Sequence, residues 1–463
     1  MSDAAHGRRR TPWAQQEPSR SVAPITFQAS PVTSAVRGIT RRTAVQGIAA
    51  ATGSTCLPGC GRRSDRTAVR FWGVGREGEV AAELVRGFRA EHPTIDVEVQ
   101  KLPWTAAHEK LLTAYAGETL PDLCQLGNTW VPEFAALDAL EPLENLVAAS
   151  QDVDPSDYFE GFYNANRIDG TLFGVPWYVD TRLLYYRRDL LREAGFDAPP
   201  TTWHEWETQL AAIKRHVGPQ RYAVLMPLNE FEPLLVLALQ QPGELLREGG
   251  RWGNFRSPDF HRALEFYHQA FQRGWAPRAT NTQISNVWDE FFNGFFSFYI
   301  SGPWNIAEFL KRVPAHLEDA WTTAPMPGPE GPGVSSAGGA SLVIFRHSRV
   351  KREAWLLVEY LSRPSTQQRF YELTGNMPPR RTTWQMQALA QSPYAKAYRE
   401  QLDRVRSPPK VPEWERIATE MRLAGERVVH GVQTIQQAAV QLDRVTDEIL
   451  EKRRWMLDKT RGS

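Results

Sequence analysis

Long apolar runs are missing from this chain. No stretch of eighteen or more hydrophobic residues occurs in its 463 residues, so nothing in it reads as a conventional membrane-spanning helix. Cysteine is nearly missing too. Cys56 and Cys60 lie in the N-terminal leader and Cys124 in an apolar run, so no disulfide framework is expected. Net charge is only +1, and it is unevenly placed. Residues 1–59 hold seven arginines and two acids, which leaves 47 basic against 51 acidic side chains from Cys60 onward. A mildly acidic body gives no electrostatic reason to expect a nucleic-acid partner. The motifs G-x-x-x-x-G-K-[ST], G-x-S-x-G and H-E-x-x-H do not occur. His261 and His268 stand seven apart without a cysteine or a second pair, so no metal site is expected. No catalytic set of residues emerges.

What is present begins with a leader. Thr40-Arg41-Arg42-Thr43 precedes a modest apolar stretch over residues 43–55 and then Leu57-Pro58-Gly59-Cys60. A charged region, an apolar region and small residues before a cleavage point make an export signal. The paired arginines resemble the twin-arginine route. Leu-x-Gly-Cys resembles a lipobox with Cys60 as the lipidated residue. Residues 1–59 therefore read as a disordered extension plus a twin-arginine lipoprotein signal, and residues 60–67 as a short tether. An initiator nearer Val36 stays open. Lipid at Cys60 would be the membrane contact, placing the protein in the periplasm or on the cell surface.

Residues 68–455 read as the folded body, with strands and helices alternating. Ala68–Trp72 is an apolar strand, and Val80, Leu84 and Phe88 form a helix face. Ile95–Gln100 alternates as a half-buried strand does, and Leu123–Leu126 is a third. This is the start of an open α/β sheet. A second unit follows. It has strands at Leu183–Tyr186, Tyr222–Met226, Phe295–Ile300 and Ser341–Phe345, and a capping box at Thr202–Glu205. Ser348 is expected to cap a helix through Trp355, and residues 432–456 to form one helix. Trp203 and Trp355 are assigned to packing by their helical spacing.

Gly73, Gly75 and Gly78 form a G-x-G-x-x-G between a strand and a helix, with Asp96 some twenty residues on. That is the arrangement of a dinucleotide site, and an exported nicotinamide-dependent oxidoreductase is the rival reading. Against it, Glu77 and Glu79 stand where a pyrophosphate would meet the helix, and Asp96 sits mid-strand. A glycine-bearing βα turn explains the same residues without a cofactor. A glycan-active enzyme is the third reading, since two carboxylates at a fixed separation cannot be recognised in sequence.

Sixteen tryptophans, 13 tyrosines and 21 phenylalanines are many for such a body. Most are core, but sugar clefts also use rings to stack on pyranose C–H faces. Several ordered segments point the same way: Phe88–Val99, Pro121–Trp130, Leu172–Leu190, Pro199–Trp203, Ser301-Gly-Pro-Trp304, Ala337–Ser341 and Thr374-Gly-Asn-Met-Pro378. Together they resemble the extracellular solute-binding proteins of ATP-binding-cassette sugar importers, the trehalose/maltose-binding type above all.

That resemblance implies an α/β, two-lobed periplasmic-binding-protein-like fold with ligand in the cleft between lobes. Lobe 1 would take about 68–178 and part of 320–380, and lobe 2 about 179–320 plus the C-terminal helices. It implies a binding protein without catalytic residues or cofactor, monomeric, with a carbohydrate ligand and permease subunits as partners. The site residues it implies are Glu77 and Asn128 as hydroxyl partners, with Trp130 adjoining. Tyr178 and Asp180 would lie in the first crossing and Trp304 under a sugar ring. Gly338 and Gly339 would allow close backbone approach, Arg380 would offer a donor fork, and Trp252 is the weakest-placed.

Overall fold

The computed structural model describes residues 66–461 apart from residue 285. Cys56, Cys60 and the twin arginine lie outside the described residues. Two sheets organise the rest. In lobe 1 the strand order is Ile95–Leu102, Thr67–Val74, Leu123–Gly127, Gly338–Ile344, Val175–Asp180. The first three are parallel, and Gly338–Ile344 runs antiparallel to both its neighbours. In lobe 2 the order is Trp321–Ala324, Leu183–Arg187, Phe296–Ser301, Tyr222–Leu225.

The local rules explain the individual elements. Helix Gly75–Glu91 buries Val80, Leu84 and Phe88 against the lobe 1 sheet. Helix Trp203–Val217 begins at a reciprocal capping box between Thr202 and Glu205, and it buries Trp206, Leu210 and Ile213. Its core partners include Phe260, Leu264 and Phe271 of helix Pro258–Gln272, which Ser257 caps. Trp177 stacks on Phe370 at 4.4 Å and is fully buried, so it belongs to the lobe 1 core.

Three expectations change. The strand expected at Ser341–Phe345 in the second unit lies instead in the lobe 1 sheet, as Gly338–Ile344 between Leu123–Gly127 and Val175–Asp180. Residues 432–456 are not one helix: Ile435–Ile449 ends at Leu450, and Glu451–Arg461 starts afresh. Ser348 is not an N-cap, because helix Lys351–Ser362 is preceded by Val350. Instead, the Ser348 hydroxyl donates to Asp122 Oδ1 at 2.8 Å and ties the turn to the sheet.

The chain leaves lobe 1 after Asp180, returns at Gly338 and leaves again beyond Arg380. These crossings are cross-bonded. Arg182 N donates to Ser335 Oγ at 3.1 Å, and Ser335 Oγ donates to the Arg182 carbonyl at 2.8 Å. Strand Val405–Arg406 pairs in parallel with Ser335–Ser336.

Candidate functional site

The first βα turn builds one wall of the space between the lobes. Gly75 adopts a φ of +62°, which glycine takes without penalty. A Cβ there would stand 2.5 Å from Cδ1 and Nε1 of Trp104, so the glycine lets the indole edge approach the turn. Gly73 and Gly78 have a different task. A Cβ on Gly73 would be 2.6 Å from the Gly78 Cα, so the glycines let strand and helix touch. Beyond them Glu77 is buried. Its Oε1 accepts from Asn376 Nδ2 at 2.6 Å, and its Oε2 has no hydrogen-bond partner of good geometry. Burial pushes the Glu77 carboxyl above its usual range, against the pull of nearby hydrogen-bond donors. The dinucleotide reading is therefore not supported, since the glycines pack on each other and a carboxylate fills the helix end. Asp96 is spent on Arg89, 3.0 Å away.

The floor comes from strand ends. Asn128 N donates to the Gly339 carbonyl at 3.1 Å, its Nδ2 donates to the Gly338 carbonyl at 2.9 Å, and its Oδ1 accepts from Ser341 Oγ at 2.8 Å. Gly339 has a φ of +104°, and a Cβ on it would lie 2.4 Å from the Tyr178 carbonyl. A register shift at Ala340/Ser341 marks the spot as a bulge. The Tyr178 hydroxyl accepts from Gln125 Nε2 at 3.4 Å. Burial raises its pKa well above the usual tyrosine value, and Glu77 and Asp180 add to the effect.

The hinge and lobe 2 supply the opposite wall. Arg182 Nη1 forks onto both Asp180 oxygens at 2.8 and 2.7 Å, and its Nη2 donates to Glu232 Oε1 at 2.7 Å. Burial opposes the Arg182 cation, but Asp180 and Glu232 outweigh it and raise its pKa. Burial also raises Asp180, which Arg182 only partly offsets. Trp304 opens the helix Trp304–Arg312, folds over Gly302 and lies 4.9 Å from the Arg182 guanidinium. It remains 39% exposed, unusual for a ring in so aromatic a neighbourhood. Asn128, Asp180, Arg182, Glu232, Gly338 and Gly339 line a cavity of about 130 Å³ between these walls.

This is a cleft with paired polar groups, a buried carboxylate and two exposed indoles, a lining of the kind that suits a small polar ligand. A family profile described as bacterial extracellular solute-binding protein matches residues 83–397. The chain belongs to that family. The solved sugar-binding protein MalE of Xanthomonas citri is 58% identical, with a TM-score of 0.83 over 85% of this solute-binding protein and 99% of that chain. A diacetylchitobiose binding protein of Streptomyces coelicolor is 25% identical over 272 residues, 58% of this chain and 62% of the relative. An uncharacterized lipoprotein of Streptomyces antibioticus is 27% identical over 322 residues, 67% of this chain and 69% of the relative.

Within this solute-binding protein, Asn128, Asp180, Gly338 and Gly339 come together at the cavity, with Glu77, Tyr178 and Trp304 beside it. Three expected site residues are engaged elsewhere. Trp130 is buried behind Trp104, edge to face at 5.6 Å, and packs on His108 at 5.0 Å. Trp252 lies in a hairpin of lobe 2, 3.9 Å from the Arg454 guanidinium and 5.7 Å from that of Arg247. Arg380 is buried in lobe 1, where its Nε donates to Asp157 Oδ2 at 2.6 Å and its Nη1 to the carbonyls of Asp152 and Ser362. A buried arginine so close to a buried carboxylate is held there by charge, and its fork is not offered to the cleft.

Sequence reading missed Trp104, Arg182, Glu232 and Asn376. Trp104 stands after Pro103 at a helix start, a position that a packing residue also favours. Glu232 and Asn376 matter only through partners far along the chain, and Arg182 binds Asp180 two residues away, a pairing with no sequence signature of its own.

Proposed function

We propose that this protein captures a carbohydrate outside the cytoplasm in the cleft between its lobes and delivers it to the permease of an ATP-binding-cassette importer. The observation that carries the reading is the sugar-binding neighbour, 58% identical and matched over 99% of its length. The cleft chemistry supports it. Glu77 brings a buried carboxylate to the first βα turn, and Trp104 and Trp304 offer indole faces, both 39% exposed. Closure about the cross-bonded hinge would bring both walls onto one ring and exclude water, which strengthens each polar contact. Binding proceeds without turnover, and one copy of the chain is sufficient for it. Leu57-Pro58-Gly59-Cys60 after the twin arginine supports export as a lipoprotein anchored through Cys60.

Calorimetry with a panel of mono- to tetrasaccharides tests this reading. We expect one-to-one binding of at least one sugar, recovered chemically unchanged after incubation. Silence across the panel would sink the carbohydrate assignment, and released reducing ends would sink the absence of turnover. Mass spectrometry of membrane fractions, with Cys60→Ser as control, tests the anchor.

A further inference from the structure

The hinge side of the cleft carries more carboxylate than its one arginine can neutralise. Arg182 is bonded to Asp180 and Glu232 at once, so two carboxylates share a single guanidinium. A third stands nearby. Glu230 is half-buried two residues before Glu232, and its Oε1 is held by Asn281 Nδ2 at 2.9 Å rather than by a cation. Burial raises the Glu230 carboxyl, and Glu232 raises it further.

The cations nearby are committed. Lys410 lines a neighbouring pocket rather than this cavity, and its Nζ donates to the carbonyls of Asn164 and Arg167, at 2.5 and 3.3 Å. His108 faces Glu133 at 2.6 Å. An anionic group entering the cleft would meet partially desolvated carboxylates, where repulsion is screened far less than at the surface. Partial protonation of those carboxyls lessens the repulsion but supplies no cation. A neutral polyol uses the same oxygens as hydrogen-bond acceptors, and an ammonium gains from them.

We propose that this acid-rich cluster makes the cleft a charge filter: it accepts neutral and amino sugars and refuses sugar phosphates and uronates, with Glu230 and Glu232 setting the rule. The inference rests on the carbohydrate reading above and names the substrate class within it.

Matched ligands test it: maltose against maltose 6′-phosphate, and trehalose against trehalose 6-phosphate and a 2-amino analogue. Calorimetry on the wild-type protein should show each phosphate at least about 30-fold weaker than its parent, and the amine equal or tighter. The same ratio should shrink in Glu230→Gln, whose side chain holds only Asn281, and shrink further in the Glu230→Gln/Glu232→Gln double variant. Phosphates binding within about threefold of their parents, or a ratio unmoved in both variants, overturns the filter. Failure of every parent sugar overturns the carbohydrate reading beneath it, a separate result from parents and phosphates binding alike.

Discussion

Arg380 separates a structural arginine from a ligand-binding one, and the two roles predict opposite data. Asp157 accepts from Arg380 Nε at 2.6 Å, from Thr382 N at 2.9 Å and from Thr382 Oγ1 at 2.6 Å. Both members of the ion pair are under 10% exposed. Arg380→Met keeps the aliphatic stem but leaves the Asp157 carboxylate buried with only the Thr382 donors. Such a loss costs about 3–5 kcal/mol. The described body has roughly 400 residues, and unfolding entropy near 2.1 cal/mol/K per residue gives about 0.8 kcal/mol/K. The Tm should therefore fall by about 4–6 °C by calorimetry. Asp157→Asn should cost less than the arginine change, and the double variant should show positive coupling. Sugar affinity should stay within about twofold of wild type, because the arginine works inside lobe 1. A Tm within about 1 °C of wild type, combined with affinity lowered more than about tenfold, would refute this account.

The remaining predictions concern the cleft. Trp304 keeps 39% of its surface exposed. A sugar covering that remainder, about 100 Å², gains up to about 2.5 kcal/mol, so Trp304→Ala should weaken binding by about 10- to 70-fold in calorimetry. Unchanged affinity would remove the ring from the site. Gly339→Ala forces a φ of +104° onto a residue with a Cβ, 2.4 Å from the Tyr178 carbonyl. It should lower stability by at least about 1–2 kcal/mol, and a wild-type melting curve would show the bulge to be dispensable. His108 is bonded to Glu133, which raises its pKa, with burial opposing and Glu415 and Glu109 adding to the rise. Its folded pKa exceeds its unfolded one, so the stabilisation is full below the unfolded value and is lost as pH rises through the folded value. Melting curves of wild type and His108→Gln should therefore differ most at acid pH and converge at alkaline pH. Curves parallel throughout would discard the pair as a stabilising contact.

Much of the scaffold was legible because it rests on local rules. The capping box at Thr202–Glu205, the Ser257 cap and the alternation in Ile95–Gln100 are each decided within a few residues. The site was legible only in part, and the division follows sequence distance. Asp180, Gly338 and Gly339 sit at crossings, where chain direction and glycine leave a trace. The partners that give them meaning do not. Asn128 is bound to Gly338 some 210 residues later, and Glu77 to Asn376 299 residues later. Arg380 misled for the same reason: an exposed fork and a buried ion pair look identical until Asp157, 223 residues earlier, is seen beside it. The tryptophans divide likewise. Helical spacing assigned Trp203 and Trp355 to packing, but no periodicity distinguishes Trp252, clamped by two arginines, from the exposed Trp304.

Ser335 touches two of the crossing segments at once, through Arg182 and through the strand beside Val405. A door hung on one pin can twist as well as swing, whereas several pins in line leave a single axis. Cross-bonded connections of this kind resist shear and twist, so the closure proposed above would reduce to a single swing about the crossings. The geometry that meets a ligand would then be the same at every closure, and the outline of the closed molecule would be a reproducible signal for the proposed permease to read.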